Sequence, residues 1–188
     1  ISLLKYAAQF YFNSIIGQIY LSGTNFIATS FLIPQYIGLI SQAQKFGELV
    51  NRAISPVQTP LYPLISRSKV KNAIEKTVKV YRLIFLISFL ITLGIFITIR
   101  PIIIFTYGKD FIPISYIFYI LSPGLIFESS SLVLRSYCNG IGKAIISSYV
   151  QLIPMIIQLI ISWFFIQSLG YIGAAISISI GMILYGLI

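Results

Sequence analysis

The sequence predicts an all-α integral membrane fold, and three observations carry that prediction. Of its 188 residues, 57% are hydrophobic and only 9% are charged, against roughly 25% charged in an average soluble domain. The apolar residues gather into runs near the ~20 residues that a helix needs to cross a hydrocarbon core about 30 Å thick. The basic charge concentrates between two of these runs, where Arg67, Lys69, Lys71, Lys76, Lys79 and Arg82 share one short connector.

Taken in order, six segments qualify or nearly qualify as spans. The first covers residues 3–32 and is closed by Pro34; the second covers 36–65 and meets Pro56, Pro60 and Pro63 toward its end. The third, 83–105, is the cleanest apolar run. The fourth, 114–139, holds a Pro123–Gly124 break, the fifth, 144–167, contains Pro154, and the sixth runs over 171–188. We expect the whole chain, 1–188, to form a single membrane lobe. Because it starts at Ile1 rather than Met and stops inside an apolar run, it reads as part of a longer protein.

The net charge of +9 is the kind of excess that marks nucleic-acid binders, but its distribution points to topology instead and no nucleic-acid partner is expected. Lys5, the 67–82 connector and Lys143 fall on one side of the membrane, whereas 33–35, Lys109–Asp110 and Leu169–Gly170 fall on the other. The basic side is the cytoplasmic one by the positive-inside rule, which places both ends of the chain there. Within the connector, Val70, Ile74, Val78 and Tyr81 recur at helical spacing against Lys71, Lys76 and Lys79. That pattern suits an amphipathic helix on the anionic inner leaflet, so membrane lipids are expected partners.

Chemistry is narrowed by absence. The sequence has no His and one Cys, Cys138, which removes zinc sites, His-based acid–base work and Cys–His catalysis. Neither a metal nor a cofactor is expected, and the chain is not expected to be an enzyme. The informative residues are charges inside a membrane-length stretch: Lys45, Glu48 and Arg52, flanked by Ser41 and Ser55. At about 100° per residue these side chains share an arc of roughly 80°. A charge at the centre of a bilayer costs about 2.5–3.5 kcal/mol on insertion scales, so such a stripe faces a partner or a water-filled cavity.

Other spans carry polar faces too. The first aligns Tyr11, Ser14, Gln18, Ser22, Asn25 and Thr29; the fourth aligns Glu128, Ser131, Arg135 and Asn139; the fifth aligns Ser147, Gln151, Gln158 and Ser162. The uncharged stripes suit interhelical hydrogen bonds as well as a cavity wall. Lys45, Arg52 and Arg135 outnumber Glu48 and Glu128, even with Glu48 paired to Lys45 or Arg52 and Glu128 to Arg135. The surplus suits an anion. On the sixth span Gly173, Ser177 and Gly181 form a ladder of small residues where another helix can approach closely.

The order of motifs then becomes informative. Gly38-Leu-Ile-Ser-Gln-Ala-Gln-Lys45, Pro60-Leu-Tyr-Pro63-Leu-Ile-Ser66-Arg67, Tyr107-Gly-Lys-Asp-Phe111, Asn139-Gly-Ile-Gly-Lys143 and Gly170-Tyr-Ile-Gly-Ala-Ala175 follow one another across the chain. In this order they resemble the C-terminal half of a polysaccharide flippase, a Wzx-type O-antigen or exopolysaccharide transporter of the multidrug/oligosaccharidyl-lipid/polysaccharide exporter superfamily. The resemblance implies one six-helix lobe of a two-lobe, MATE-like transporter with a central V-shaped cavity, its second lobe supplied by the same full-length chain. It further implies flipping of undecaprenyl-diphosphate-linked oligosaccharides across the bacterial cytoplasmic membrane by alternating access. The lipid-linked glycan would contact Lys45, Arg52 and Arg135 through its phosphates and Gln18, Asn25 and Gln151 through its sugars. Glu48 and Glu128 would serve as counter-charges or ion-coupling groups. Asn25 stands where many relatives carry an acidic residue, so ion coupling at that position is not expected.

Overall fold

A computed structural model describes residues 2–58, 70–140 and 144–187, with side chains described over 11–56, 74–139 and 145–187. All regular structure among the described residues is helical: α1 (Ser2–Thr29), α2 (Pro34–Gln58), α3 (Val70–Thr106), a 3₁₀ turn (Lys109–Phe111), α4 (Pro113–Gly140), α5 (Ala144–Leu169) and α6 (Tyr171–Leu187). The Pro60–Arg67 motif, Lys69, and Ile141 to Lys143 lie outside the described residues, as do the side chains of Lys5, Val70 and Lys71.

The sequence places the helix ends through its Pro and Gly residues. Pro34 and Pro113 open α2 and α4, where a missing N–H costs nothing because the first-turn donors have no intrahelical acceptor. Gly108 (φ 95°) and Gly170 (φ 61°) follow α3 and α5, and the Gly170 N–H bonds to the Ile166 carbonyl at 3.0 Å. A left-handed residue at that point lets the chain reverse while the last carbonyls stay bonded.

Two expectations change. Where the sequence suggests a surface helix over 67–82 followed by a separate span over 83–105, α3 is one helix of 37 residues. No Pro or Gly interrupts the chain between Val70 and Gly94, so the helix simply continues, and an i,i+4 pair between Glu75 and Lys79 at 2.8 Å reinforces its basic turns. The Pro123–Gly124 break is also absent: α4 runs through it. Proline removes the hydrogen bond to the carbonyl four residues back, here that of Tyr119, and the Ser122 hydroxyl donates to that oxygen at 2.7 Å. Ser55 does the same ahead of Pro56, donating to the Arg52 carbonyl at 3.1 Å. Each Ser-Pro pair thus repairs its own helix, as apolar surroundings require.

Three helices, Ile74–Thr106, Lys109–Asn139 and Ile145–Leu169, are long and apolar enough to cross a membrane by length and composition, and Tyr171–Leu187 is a shorter apolar helix. The polar residues of α1 and α2 dilute their apolar content.

Packing radiates from α4 and α6. These two pack along each other, α2 and α3 pack on α4, and α1 packs on α5, which packs on α6, whereas α1 and α2 barely touch. Phe118, Leu121, Leu125, Ile178 and Met182 form the main core, and Val50, Ile54, Ile84 and Val133 a second one between α2, α3 and α4. The small residues of α6 permit its close approaches. A methyl group on Gly173 would strike the Phe165 backbone, and one on Gly181 the Gln158 side chain. Tyr36 stacks on Tyr171 at 5.0 Å and Phe31 meets Trp163 at 5.1 Å, so the α1–α2 and α5–α6 turns lie at one end of the bundle.

Part of the fifth span's polar stripe serves as interhelical glue. Gln158 donates to the Tyr20 carbonyl at 3.2 Å and to the Thr24 hydroxyl at 2.9 Å, and Thr24 pairs with Ser162 at 2.9 Å. Thr24→Val, equal in shape, is expected to lower stability by about 1 kcal/mol. Thermal unfolding of the purified full-length protein measures it, and an unchanged midpoint would show these bonds to be idle.

Candidate functional site

The separation of α1 from α2 leaves a cavity of about 330 Å³ with α4 and α6 as its floor. Gln18, Ser22 and Asn25 line it from α1, Ser41, Gln44, Lys45, Glu48 and Asn51 from α2, and Glu128 and Met182 from below. Helical periodicity sets this up: Gln18, Ser22 and Asn25 recur at four and three residues, as do Ser41, Lys45 and Glu48. Two stripes that are separate in sequence therefore become facing walls.

The charges divide by environment. Lys45 is exposed to the cavity and has no carboxylate partner among the described residues. Glu48 accepts from Arg52 at 3.1 Å, with side chains 58% and 75% exposed, and Arg52, one turn beyond Glu48, is not part of the cavity lining. An exposed pair of this kind contributes only about 0–1 kcal/mol; it engages Glu48 with Arg52 and leaves Lys45 without an ion-pair partner among the described residues. Glu128 is buried and has the Asn51 side chain as its hydrogen-bond partner. The Asn51 carbonyl oxygen in turn accepts from Ser129 at 2.8 Å, which ties α2 to α4 beneath the cavity.

Seven of the residues singled out from sequence therefore meet in one place: Gln18, Ser22, Asn25, Ser41, Lys45, Glu48 and Glu128. Arg135 and Gln151 do not join them. Arg135 lies seven residues from Glu128, roughly 10 Å along the helix, and lines a separate 250 Å³ space with Ser131, Ser147 and Tyr185. The Glu128–Arg135 ion pair considered from sequence is not seen among the described residues, where Glu48 pairs with Arg52 instead. Gln151 is buried against Gly17 of α1, its amide nitrogen 3.7 Å from where a Cβ would stand.

Gln44 and Asn51 are functional candidates that sequence reasoning passed over. Gln44 accepts a hydrogen bond from the Asn25 amide at 2.8 Å, which bridges the two walls. Both lie three residues from members of the charged stripe, Gln44 from Ser41 and Asn51 from Glu48, so the signal was a polar face wider than its charges.

Chemically, the site offers one cation, a ring of amides and hydroxyls, and a buried carboxyl group. Among the described residues there is no group of three His, Cys, Asp or Glu side chains to hold a metal ion. No curated protein and no solved structure matches the chain. A model of the family described as "Polysaccharide biosynthesis protein" matches residues 1–116, more than half of the chain and both walls of the cavity, and the chain belongs to that family.

Proposed function

We propose that this chain is a lobe of a transporter that moves lipid-linked oligosaccharides, carried on undecaprenyl diphosphate, across the bacterial cytoplasmic membrane by alternating access. The observation that carries the reading is Lys45, a cation without an ion-pair partner among the described residues, in a cavity lined mainly by amides and hydroxyls with Glu48 engaged by Arg52 and Glu128 in the floor. A diphosphate needs a cation and hydrogen-bond donors, and a glycan needs side chains that both donate and accept. No bond is made or broken in such a task. In this reading the six helices form one lobe, a second six-helix lobe of the same protein closes the cavity, and the basic turns of α3 face the cytoplasm.

Arg52 enters as the residue that holds Glu48 away from the anion. Arg52→Glu in the full-length protein reverses the charge at the cavity mouth and is expected to cut export of the lipid-linked glycan at least ~10-fold, a like-charge penalty above roughly 1.4 kcal/mol. The assay is accumulation of surface polysaccharide in cells that express the variant at normal level. Undiminished export would remove Arg52 from the mechanism. Intact export after joint neutralisation of Lys45, Glu48 and Arg52 would reduce the chain to a structural subunit.

A further inference from the structure

The space that holds Arg135 is distinct from the cavity and differently built. It measures about 250 Å³ and lies between α4 and α5, with Arg135 and Leu134 lining it from α4, Ile146, Ser147 and Val150 from α5, and Tyr185 from α6. Although α4 and α5 follow each other in the chain, they share little contact, and both rest on α6. That leaves the gap.

Its depth follows from helix length. The 28 residues of α4 extend about 42 Å, which matches the roughly 40–45 Å of a bilayer with its headgroup layers. Arg135 stands five residues before the end of α4 at Gly140, and Ser147 three after the start of α5 at Ala144. Both are thus within about 8 Å of a helix end, where headgroups give way to acyl chains.

The lining has a polar and an apolar part. Arg135 is half-buried and in ion-pair contact with no carboxylate among the described residues. The Tyr185 side chain is 4% exposed, and its hydroxyl has no hydrogen-bond partner among the described residues. Buried donors are seldom left unused. Ser131 already donates to the Glu128 carbonyl at 2.6 Å, so Arg135 and Tyr185, with Ser147, supply the donors. Beside them Ile146, Val150 and Ile153 recur at four and three residues on one face of α5. Ile146 and Ile153 are exposed, so this apolar track runs from the guanidinium toward the bilayer interior.

We propose that this space binds the phosphate head of one anionic phospholipid, with an acyl chain along Ile146, Val150 and Ile153. The guanidinium presents a planar fork of donors that matches two phosphate oxygens, and Tyr185 donates to the head as well. The volume is below the ~300–1,000 Å³ of pockets that enclose a whole small ligand, so it takes a head and its first carbons rather than an oligosaccharide. A soluble phosphate would meet the same donors but leave the apolar track empty, and a zwitterionic lipid would bring a second cation toward Arg135. Bound there, the lipid bridges two helices that scarcely touch. Only the identity of the leaflet rests on the proposed function; the site does not.

The experiment is photolabelling of the purified full-length protein in detergent, using phosphatidylglycerol with a diazirine on its first acyl carbons, and mass spectrometry of the peptides. Label is expected on 134–138 and 146–153. Arg135→Gln and Ile146→Trp are each expected to weaken this labelling about tenfold, equivalent to roughly 1.4 kcal/mol of binding, and Arg135→Lys to keep more of it. Ile146 is exposed and uncharged, so its variant tests the space even where Arg135→Gln folds poorly. Unlabelled phosphatidylglycerol should compete, phosphatidylcholine about tenfold less, and glycerol 3-phosphate not at all. Competition by glycerol 3-phosphate equal to that by phosphatidylglycerol would make this a site for a soluble phosphate, and equal competition by phosphatidylcholine would leave only apolar packing; either overturns the proposal. Label absent from both stretches, as when another part of the full-length protein covers the space, or label unchanged in both Arg135→Gln and Ile146→Trp, overturns it too. Because no glycan is present, failure here is separate from failure to export.

Discussion

Lys45→Ala in the full-length protein is expected to reduce export of the lipid-linked glycan by about 10–100-fold. The reasoning is electrostatic: a charge-assisted hydrogen bond contributes about 1.5–3 kcal/mol, and Lys45 is the cation of the cavity lining, in ion-pair contact with no carboxylate among the described residues. Stability should hardly move, since Lys45 is exposed and removing an exposed charge usually shifts stability by less than ~0.5 kcal/mol. Surface polysaccharide measured alongside protein level separates the two effects. Normal export by Lys45→Ala at normal abundance would remove the phosphate contact on which the proposed function stands. Lys45→Arg, which keeps the charge, should retain much of the activity.

The largest effect on stability is expected at Gly173. A methyl group there falls on the Phe165 backbone across the α5–α6 turn, and backbone has no rotamer with which to move aside. Gly173→Ala should therefore separate α5 from α6 at their tightest approach and cost about 3 kcal/mol or more, the upper range for overpacking. Gly94→Ala is the matched control, because nothing lies within 4 Å of its added carbon. In a helix interior that change is worth about 0.8–1 kcal/mol in favour of alanine. Thermal unfolding in detergent should thus move in opposite directions for the two variants, and parallel shifts would show that the α5–α6 contact is looser than described.

Much of the architecture was readable from one dimension because membrane helices advertise themselves. The starts of α2 and α4 at Pro34 and Pro113 and the end of α5 at Gly170 follow from residues with one conformational use. The stripes of α1 and α2 were readable for a related reason: periodicity states which residues share a face. It does not state what that face meets. Hence Gln18 and Asn25 share the cavity with Lys45, whereas Gln158 and Ser162, chosen by the same rule, bond to α1. Arg135 and Glu128 share a stripe yet sit two turns apart, too far to pair. The unbroken α4 was hidden differently. A proline was read as a break because the repair of its helix depends on the serine before it, and Ser122–Pro123 and Ser55–Pro56 had to be read as pairs.

The sparse contact between α1 and α2 bears on cargo size. α1 packs with α5 and α6, and α2 with α3 and α4, so the two walls belong to different three-helix blocks joined mainly along α4 and α6. Gly124 and Gly186 hold that seam closed, each with room for no more than a hydrogen atom beside Met182 or Phe127. The gauge of the cavity is therefore set by glycines that are not part of its lining. Under the proposed function, thickening this spine would widen the space for a glycan while every side chain of the cavity lining stayed the same.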